Sequence, residues 1–143
     1  MKILLIAPFL EDTTQKKESL YPSSALLYLG SYLRANNHDP ILLDFNINSV
    51  HEQSDKLKYC QAKILDYIQE YNPKLIGLGC LFSGAFGTVL EFAKTIRSNY
   101  PDIKIATGGI HPTTYPREIL ENCSDIYYVA IGKGEGQMLA LAY

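Results

Sequence analysis

The sequence predicts an α/β protein: a flavodoxin-like (Rossmann-like), doubly wound, five-stranded parallel sheet in the order 2-1-3-4-5. Five short apolar runs lack the polar alternation of half-solvated strands, so each reads as a strand buried on both faces. Patterns at helical spacing separate them, and strand–helix alternation argues a parallel sheet covered by helices on both sides. Right-handed crossovers then favour the 2-1-3-4-5 order. The chain has 143 residues, 47% of them hydrophobic and 20% charged, which suits one packed domain spanning 1–143.

Lys2 to Ala7 is the first run, ended by Pro8, which lacks a backbone donor. Phe9 to Tyr21 is a polar connection longer than the usual strand-to-helix loop, and long loops in compact domains tend to carry function. A helix is expected from Pro22, with Ser23 and Ser24 able to accept from free amides and Leu26, Leu29 and Leu33 on an apolar stripe. It stops near Asn36-Asn37, where asparagine tolerates the left-handed conformation. Ile41 to Leu43 is the second strand, closed by Asp44. Between Glu52 and Tyr71 the residues Leu57, Cys60, Ile64, Tyr67, Ile68 and Tyr71 recur at helical spacing, with lysines opposite. Asn72-Pro73 ends that helix.

Leu75 to Leu81 is the third strand, diluted by Gly77 and Gly79. Phe86, Val89, Leu90, Ala93 and Ile96 mark a third long helix. Ile103 to Ala106 is the fourth strand, leading into Gly108-Gly109-Ile110-His111-Pro112-Thr113. A short helix is expected from Pro116 through Leu120, a fifth strand from Ile126 to Ile131, and a last helix from Gln137 to Tyr143. A chain that stops within an apolar helical pattern has the look of an N-terminal piece of a longer protein.

Thirteen Lys plus Arg against fifteen Asp plus Glu leave a net charge of -2. Such a balance creates no basic field for a phosphate backbone, so no nucleic-acid partner is expected. No stretch nears the ~20 apolar residues of a membrane span, and Met1 to Leu10 is too short and too lightly basic for a signal peptide. A cytoplasmic chain with no membrane partner is the expectation. Cys60, Cys80 and Cys123 are 20 and 43 positions apart, which excludes CxxC-type zinc, redox and tight iron–sulfur motifs.

In an open parallel sheet the ligand crevice lies beyond the carboxyl ends of the strands. Five loops meet there: Pro8 to Tyr21, Asp44 to Ser49, Phe82 to Gly84, Gly108 to Thr113 and Gly132 to Gly136. Gly108-Gly109 leaves either a slot for a flat ligand or a tight turn. Gly132-x-Gly134-x-Gly136 follows the last strand and is a weak phosphate loop. His111 could ligate a metal, act as a base or stabilise a turn. Asp44 could hold a ribose hydroxyl or be a solvated strand-end acid, and Glu135 could accept from a ligand hydroxyl or complement the positive end of the last helix. Ala7 to Leu10 is no Ser/Thr-rich phosphate loop, and Gly79-Cys80-Leu81 lacks the acceptor aspartate of a receiver. Phe82-Ser83-Gly84 lacks the first glycine of a nucleophile elbow. No catalytic or metal-ligating residue is assigned.

The run Tyr21 to Arg34, followed by Asn37-His38-Asp39 and Asp44, resembles the PPLGLxYLAAYLR…GHxV…D opening of cobalamin-binding domains that precede radical S-adenosylmethionine domains. Ile76-Gly77-Leu78-Gly79 resembles that family's third strand. Gly108 to Thr113 resembles its GGxHPT, and Gly132-Lys133-Gly134-Glu135 its GEGE segment. The departures are Ser23 for a proline, Ala25 for a glycine and Lys133 for a glutamate. Nothing between Ala7 and Tyr21 matches the DxHxxG that ligates cobalt in the mutase type, and Gly79-Cys80-Leu81 occupies the place of an SxL.

The resemblance implies a corrinoid partner, cobalamin, over the strand ends. It would be held by Pro22, Ser24, Asp44, Gly79, Leu81, Gly108, Gly109, His111, Gly132, Gly134 and Glu135, with its nucleotide tail reaching toward the diglycine. It also implies a radical S-adenosylmethionine domain in the same full-length chain. S-adenosylmethionine and the iron–sulfur cluster would belong there, since CxxxCxxC is missing here, and the full protein would perform methyl-transfer or cyclase-type chemistry. Two alternatives stand beside this: a degenerate docking module of the same ancestry that binds no corrinoid, and a nucleotide or sugar-nucleotide binder using the same crevice.

Overall fold

A computed structural model describes residues 1–10 and 22–143. Most of the expected loop Phe9 to Tyr21 lies outside the described residues. Five parallel strands form one sheet in the order β2-β1-β3-β4-β5: β1 (Lys2–Ala7), β2 (Asp39–Asp44), β3 (Leu75–Gly79), β4 (Lys104–Gly108) and β5 (Tyr128–Val129). The helices are α1 (Ser24–Ala35), α2 (Asn48–His51), α3 (Lys56–Tyr71), α4 (Phe86–Asn99), α5 (Ile110–Thr114), α6 (Pro116–Asn122) and α7 (Glu135–Leu141). None of the helices among the described residues is long and apolar enough to cross a membrane.

Local chemistry sets the boundaries. The Ser23 hydroxyl accepts from the Leu26 amide at 3.3 Å, so Ser23 caps α1 and Pro22 precedes the cap instead of opening the first turn. Asn37 and Asn72 take positive φ angles of 67° and 49°, as expected where α1 and α3 end. The helix expected from Glu52 to Tyr71 begins only at Lys56, because Asp55 accepts from the Lys58 amide at 3.0 Å and caps α3 there; the short α2 precedes that span. Pro40 pairs with Ile3 but belongs to β2, an edge strand, where a missing donor is tolerated.

Other departures also have causes. β3 ends at Gly79 rather than Leu81, since the chain leaves the ladder after the Cys80 amide donates to the Gly108 carbonyl at 2.8 Å. β5 is two residues long, not six. It is an edge strand paired only with β4, through Ala106↔Tyr128 and Thr107↔Val129. The sequence reading missed α5 because Pro112 signals a break. Pro112 is its third residue, within the first turn, where a backbone donor has no intrahelical partner to lose.

The two faces of the sheet differ in bulk. On one, Leu4, Ile6, Ile76, Leu78 and Ile105 pack against Cys60 and Ile64 of α3 and Val89, Phe92 and Ile96 of α4. On the other, Ile3, Leu5, Leu75 and Ala106 meet Leu26 and Leu33 of α1, Met138 of α7 and Ala142 just after it. Register puts Leu5 beside Gly77, Gly77 beside Ala106, and Gly79 beside Gly108. The α1/α7 face is therefore built of small residues toward the carboxyl ends of its central strands, and Met138 of α7 packs down over Gly77, where a β-carbon would lie 3.1 Å from its methyl.

Burial raises the thiol pKa of Cys60 to about 12 and of Cys80 to about 11, against an ordinary 9.0. A folded-state pKa above the unfolded one gives stability that is intact below about pH 9 and lost as pH rises toward 11 to 12. The urea midpoint is expected to fall between pH 8.5 and pH 10.5. A flat midpoint would contradict the assignment of these thiols to the core.

Candidate functional site: a cavity at the carboxyl ends of the strands

Between the small-residue face and helices α1 and α7 lies a cavity of about 480 Å³, within the range of about 300–1,000 Å³ typical of small-molecule sites. Leu5, Gly77 and Ala106 form its inner end, and Met138 of α7 closes one side. It opens between the loops that follow the strands. Pro22, Ser24, Asp44, Gly79, Leu81, Gly108, Gly109, Gly132, Gly134 and Glu135 all line it. His111 does not.

Asp44 ends β2 with both carboxylate oxygens engaged. Oδ2 accepts from the Ser23 amide at 2.6 Å and Oδ1 from the Asn46 amide at 3.0 Å. The carboxylate thus ties the start of α1 to the end of β2 and fixes the wall made by residues 22–26. Asp44→Ala leaves two part-buried amides without an acceptor and is expected to cost about 2 kcal/mol. Thermal unfolding checks this, and a loss below about 0.5 kcal/mol would contradict the role.

Gly109 has φ +122°, and a β-carbon there would lie 2.2 Å from the Cys80 carbonyl oxygen. The absent side chain accommodates backbone of the β3–α4 connection. Gly79 is different: its β-carbon would meet nothing closer than the Ile6 carbonyl oxygen, at 3.6 Å. Within the diglycine, Gly109 has the geometry of a turn, and Gly108 lines the cavity with its β-carbon position 3.3 Å from that of Ala130.

The loop after β5 is held from two sides. The Gln137 side-chain oxygen accepts from the Ile131 amide at 3.0 Å, and its nitrogen donates to the carbonyls of Ile131 and Lys133. The Gly132 amide donates to Thr113 Oγ1 at 2.9 Å. Glu135 is the first residue of α7 and lines the cavity. His111 shares a hydrogen bond with Ser83 Oγ through Nδ1 at 2.8 Å. Its ring lies between those of Phe86 and Tyr115, with centroids 4.4 and 5.2 Å away.

Sequence reasoning missed Ala7, Leu26, Ala106, Ala130 and Met138 as lining residues. The usable signal was the period-two recurrence of small residues, Gly77-x-Gly79 and Ala106-x-Gly108, which puts all four on one sheet face. Met138 had no such signal, since its position depends on how α7 returns.

A family model described as B12 binding domain matches residues 13–142. The chain belongs to the B12-binding domain family. This B12-binding domain is 26% identical over 144 residues to an anaerobic magnesium-protoporphyrin IX monomethyl ester cyclase of Rubrivivax gelatinosus, covering 99% of the chain and 24% of that protein. It is 28% identical over 138 residues to an uncharacterized methyltransferase of Pyrococcus horikoshii, covering 94% and 27%. The chain spans about a quarter of the length of these curated relatives. A crystal structure of a novel cobalamin-binding protein from Desulfitobacterium hafniense DCB-2 superposes with a TM-score of 0.65 at 14% identity, covering 98% of this chain and 58% of that one. At that identity the likeness is one of fold.

The residues of this B12-binding domain fit part of a corrinoid. The slot is apolar at its inner end, lined by side chains too small to fill it, and carries Asp44 and Glu135. It is too small for the whole cofactor and opens toward the strand ends. No histidine of the chain lines it: His38, His51 and His111 all lie elsewhere. Among the described residues no group of three His, Cys, Asp or Glu side chains could hold a metal ion. The arrangement can bind and orient a ligand.

Proposed function

We propose that the chain holds a corrinoid, cobalamin, over the carboxyl ends of its strands, with the nucleotide tail in the cavity between the sheet and helices α1 and α7. The observation that carries this reading is the cavity itself, walled at the ends of the two central strands by Gly79 and Gly108, with Leu5 and Met138 filling the space over Gly77 at its inner end. Gly79 lets the tail run along backbone, with Gly108 and Gly109 in the wall beside it. Leu26 and Met138 exclude water from the inner end. Pro22, Ser24 and Leu81 border the mouth on one side, and Gly132, Gly134 and Glu135 on the other. Glu135, and Asp44 through the lone pairs that Ser23 and Asn46 leave unused, are the acceptors for ligand hydroxyls or amides.

When bound, the cofactor supplies methyl-transfer or radical chemistry at cobalt. The chain's own contribution would be position: no histidine lines the cavity that would hold the tail. In this reading residues 1–143 are the N-terminal domain of a longer protein. A radical S-adenosylmethionine domain of that protein binds S-adenosylmethionine and the iron–sulfur cluster, and it receives the corrinoid face presented by the loops after β3, β4 and β5. The relatives' names, a cyclase and a methyltransferase, support chemistry of this class.

The test is retention. The chain is incubated with hydroxocobalamin, freed of excess cofactor by gel filtration, and its visible spectrum recorded. Corrinoid bands near one equivalent are expected. Their absence under both oxidising and reducing conditions would overturn the reading and leave a docking module of this fold.

A further inference from the structure

Two residues of the Gly108 to Thr113 segment stand behind the cavity wall and face in opposite directions. His111 and Thr113 both belong to α5, and neither lines the cavity. His111 reaches Ser83, in the single 3-10 turn Ser83–Ala85 that follows β3. Leu81 and Ala85 flank that serine and do line the cavity. Thr113 reaches the other way and accepts from the amide of Gly132, itself a lining residue. One short helix, itself anchored on the Gly109 carbonyl through the Thr113 amide at 3.1 Å, thus grips the loops on both sides of the opening.

From this juxtaposition we propose that His111 and Thr113 are positioning residues that set the width of the cavity mouth, α5 acting as a spacer between the loop after β3 and the loop after β5. The inference rests on the corrinoid reading for its ligand, but the bracing itself is a property of the chain alone. The two bonds differ in kind. The His111 ring is also held by Phe86 and Tyr115, so His111→Phe keeps the stacking and removes only the bond to Ser83. Thr113→Val keeps the shape and removes only the acceptor for Gly132. His111→Asn and Thr113→Ser restore a bonding atom near the original one.

The experiment compares these four variants with the wild-type chain, loaded with hydroxocobalamin and then diluted into excess apo-scavenger, with amide hydrogen exchange on the cofactor-free proteins in parallel. His111→Phe and Thr113→Val are expected to release corrinoid about five- to tenfold faster, the loss associated with one hydrogen bond. His111→Asn and Thr113→Ser should return to within about twofold of wild type. In the cofactor-free chain, exchange should quicken at Gly132 in Thr113→Val and at Ala85 in His111→Phe, with β4 amides unchanged. Release at the wild-type rate from both Phe and Val variants, or no rescue by Asn and Ser, would overturn the proposal while the corrinoid reading stands. Failure of the wild type to retain corrinoid would sink that reading instead. The exchange data alone would then decide the brace, and unchanged Gly132 and Ala85 amides would overturn it.

Discussion

Gly109→Ala is expected to destabilise the fold by about 4 kcal/mol, from overpacking and an unfavourable backbone conformation together. The added β-carbon would sit 2.2 Å from the Cys80 carbonyl oxygen and 2.7 Å from its carbon. Both are backbone atoms, anchored by the bond from the Cys80 amide to Gly108, so no side chain can rotate aside. The φ of +122° adds strain for any residue with a β-carbon. Gly132 is the control. Its φ is also positive, at +76°, but a β-carbon there meets nothing within 4 Å, so Gly132→Ala should cost only about 1 kcal/mol. Urea denaturation of the two variants measures the difference. Equal midpoints would refute the contact as the reason for Gly109. Loss of corrinoid in a Gly109 variant would accordingly say little about the cavity, since the loop carrying it would be displaced.

Gly79→Val is the informative substitution for binding. The position lies in β3 with strand geometry, where valine is favoured, and the nearest atom to its β-carbon is 3.6 Å away. The branched side chain would project into the cavity between sheet and α1. Corrinoid retention is expected to drop at least a hundredfold, while stability stays within about 1 kcal/mol of wild type. Visible spectra after gel filtration and thermal unfolding of the same samples read the two effects separately. Full retention by a folded Gly79→Val chain would remove the tail from this cavity. A collapsed melting temperature would instead show that Gly79 serves the sheet.

Most of the architecture was legible because it depends on local periodicity. The runs Lys2 to Ala7 and Leu75 to Leu81, the latter two residues longer than β3, and the spacing of Cys60, Ile64 and Ile68 specify their elements without help from distant residues. What sequence reading lost was tertiary. β5 shortens because only β4 pairs with it, the helix before Tyr71 starts late at the Asp55 cap, and α5 contains a proline that propensity alone reads as a break. At the site, glycines announced the loops, and ten of the eleven candidate residues meet around one cavity.

The roles were less legible than the positions. Asp44 looked like a ligand for a hydroxyl or a solvated acid, yet its oxygens accept from Ser23 and Asn46, which sequence distance hides. Whether a glycine clears space for ligand or for backbone is equally invisible in one dimension. Gly79 ends β3 and Gly109 follows the end of β4, but only at the second would a β-carbon collide with a carbonyl, 2.2 Å from Cys80 against 3.6 Å from Ile6.

The most direct measurement is a ¹⁵N–¹H correlation spectrum of the isotope-labelled chain titrated with hydroxocobalamin. Shifts or broadening are expected at the amides of Ala7, Gly79, Gly108, Gly132 and Gly134, saturating near one equivalent. Lys2, Leu75 and Lys104, at the opposite ends of their strands, should be unmoved. Saturation with those three perturbed and the five still would contradict a corrinoid site at the carboxyl edge of the sheet.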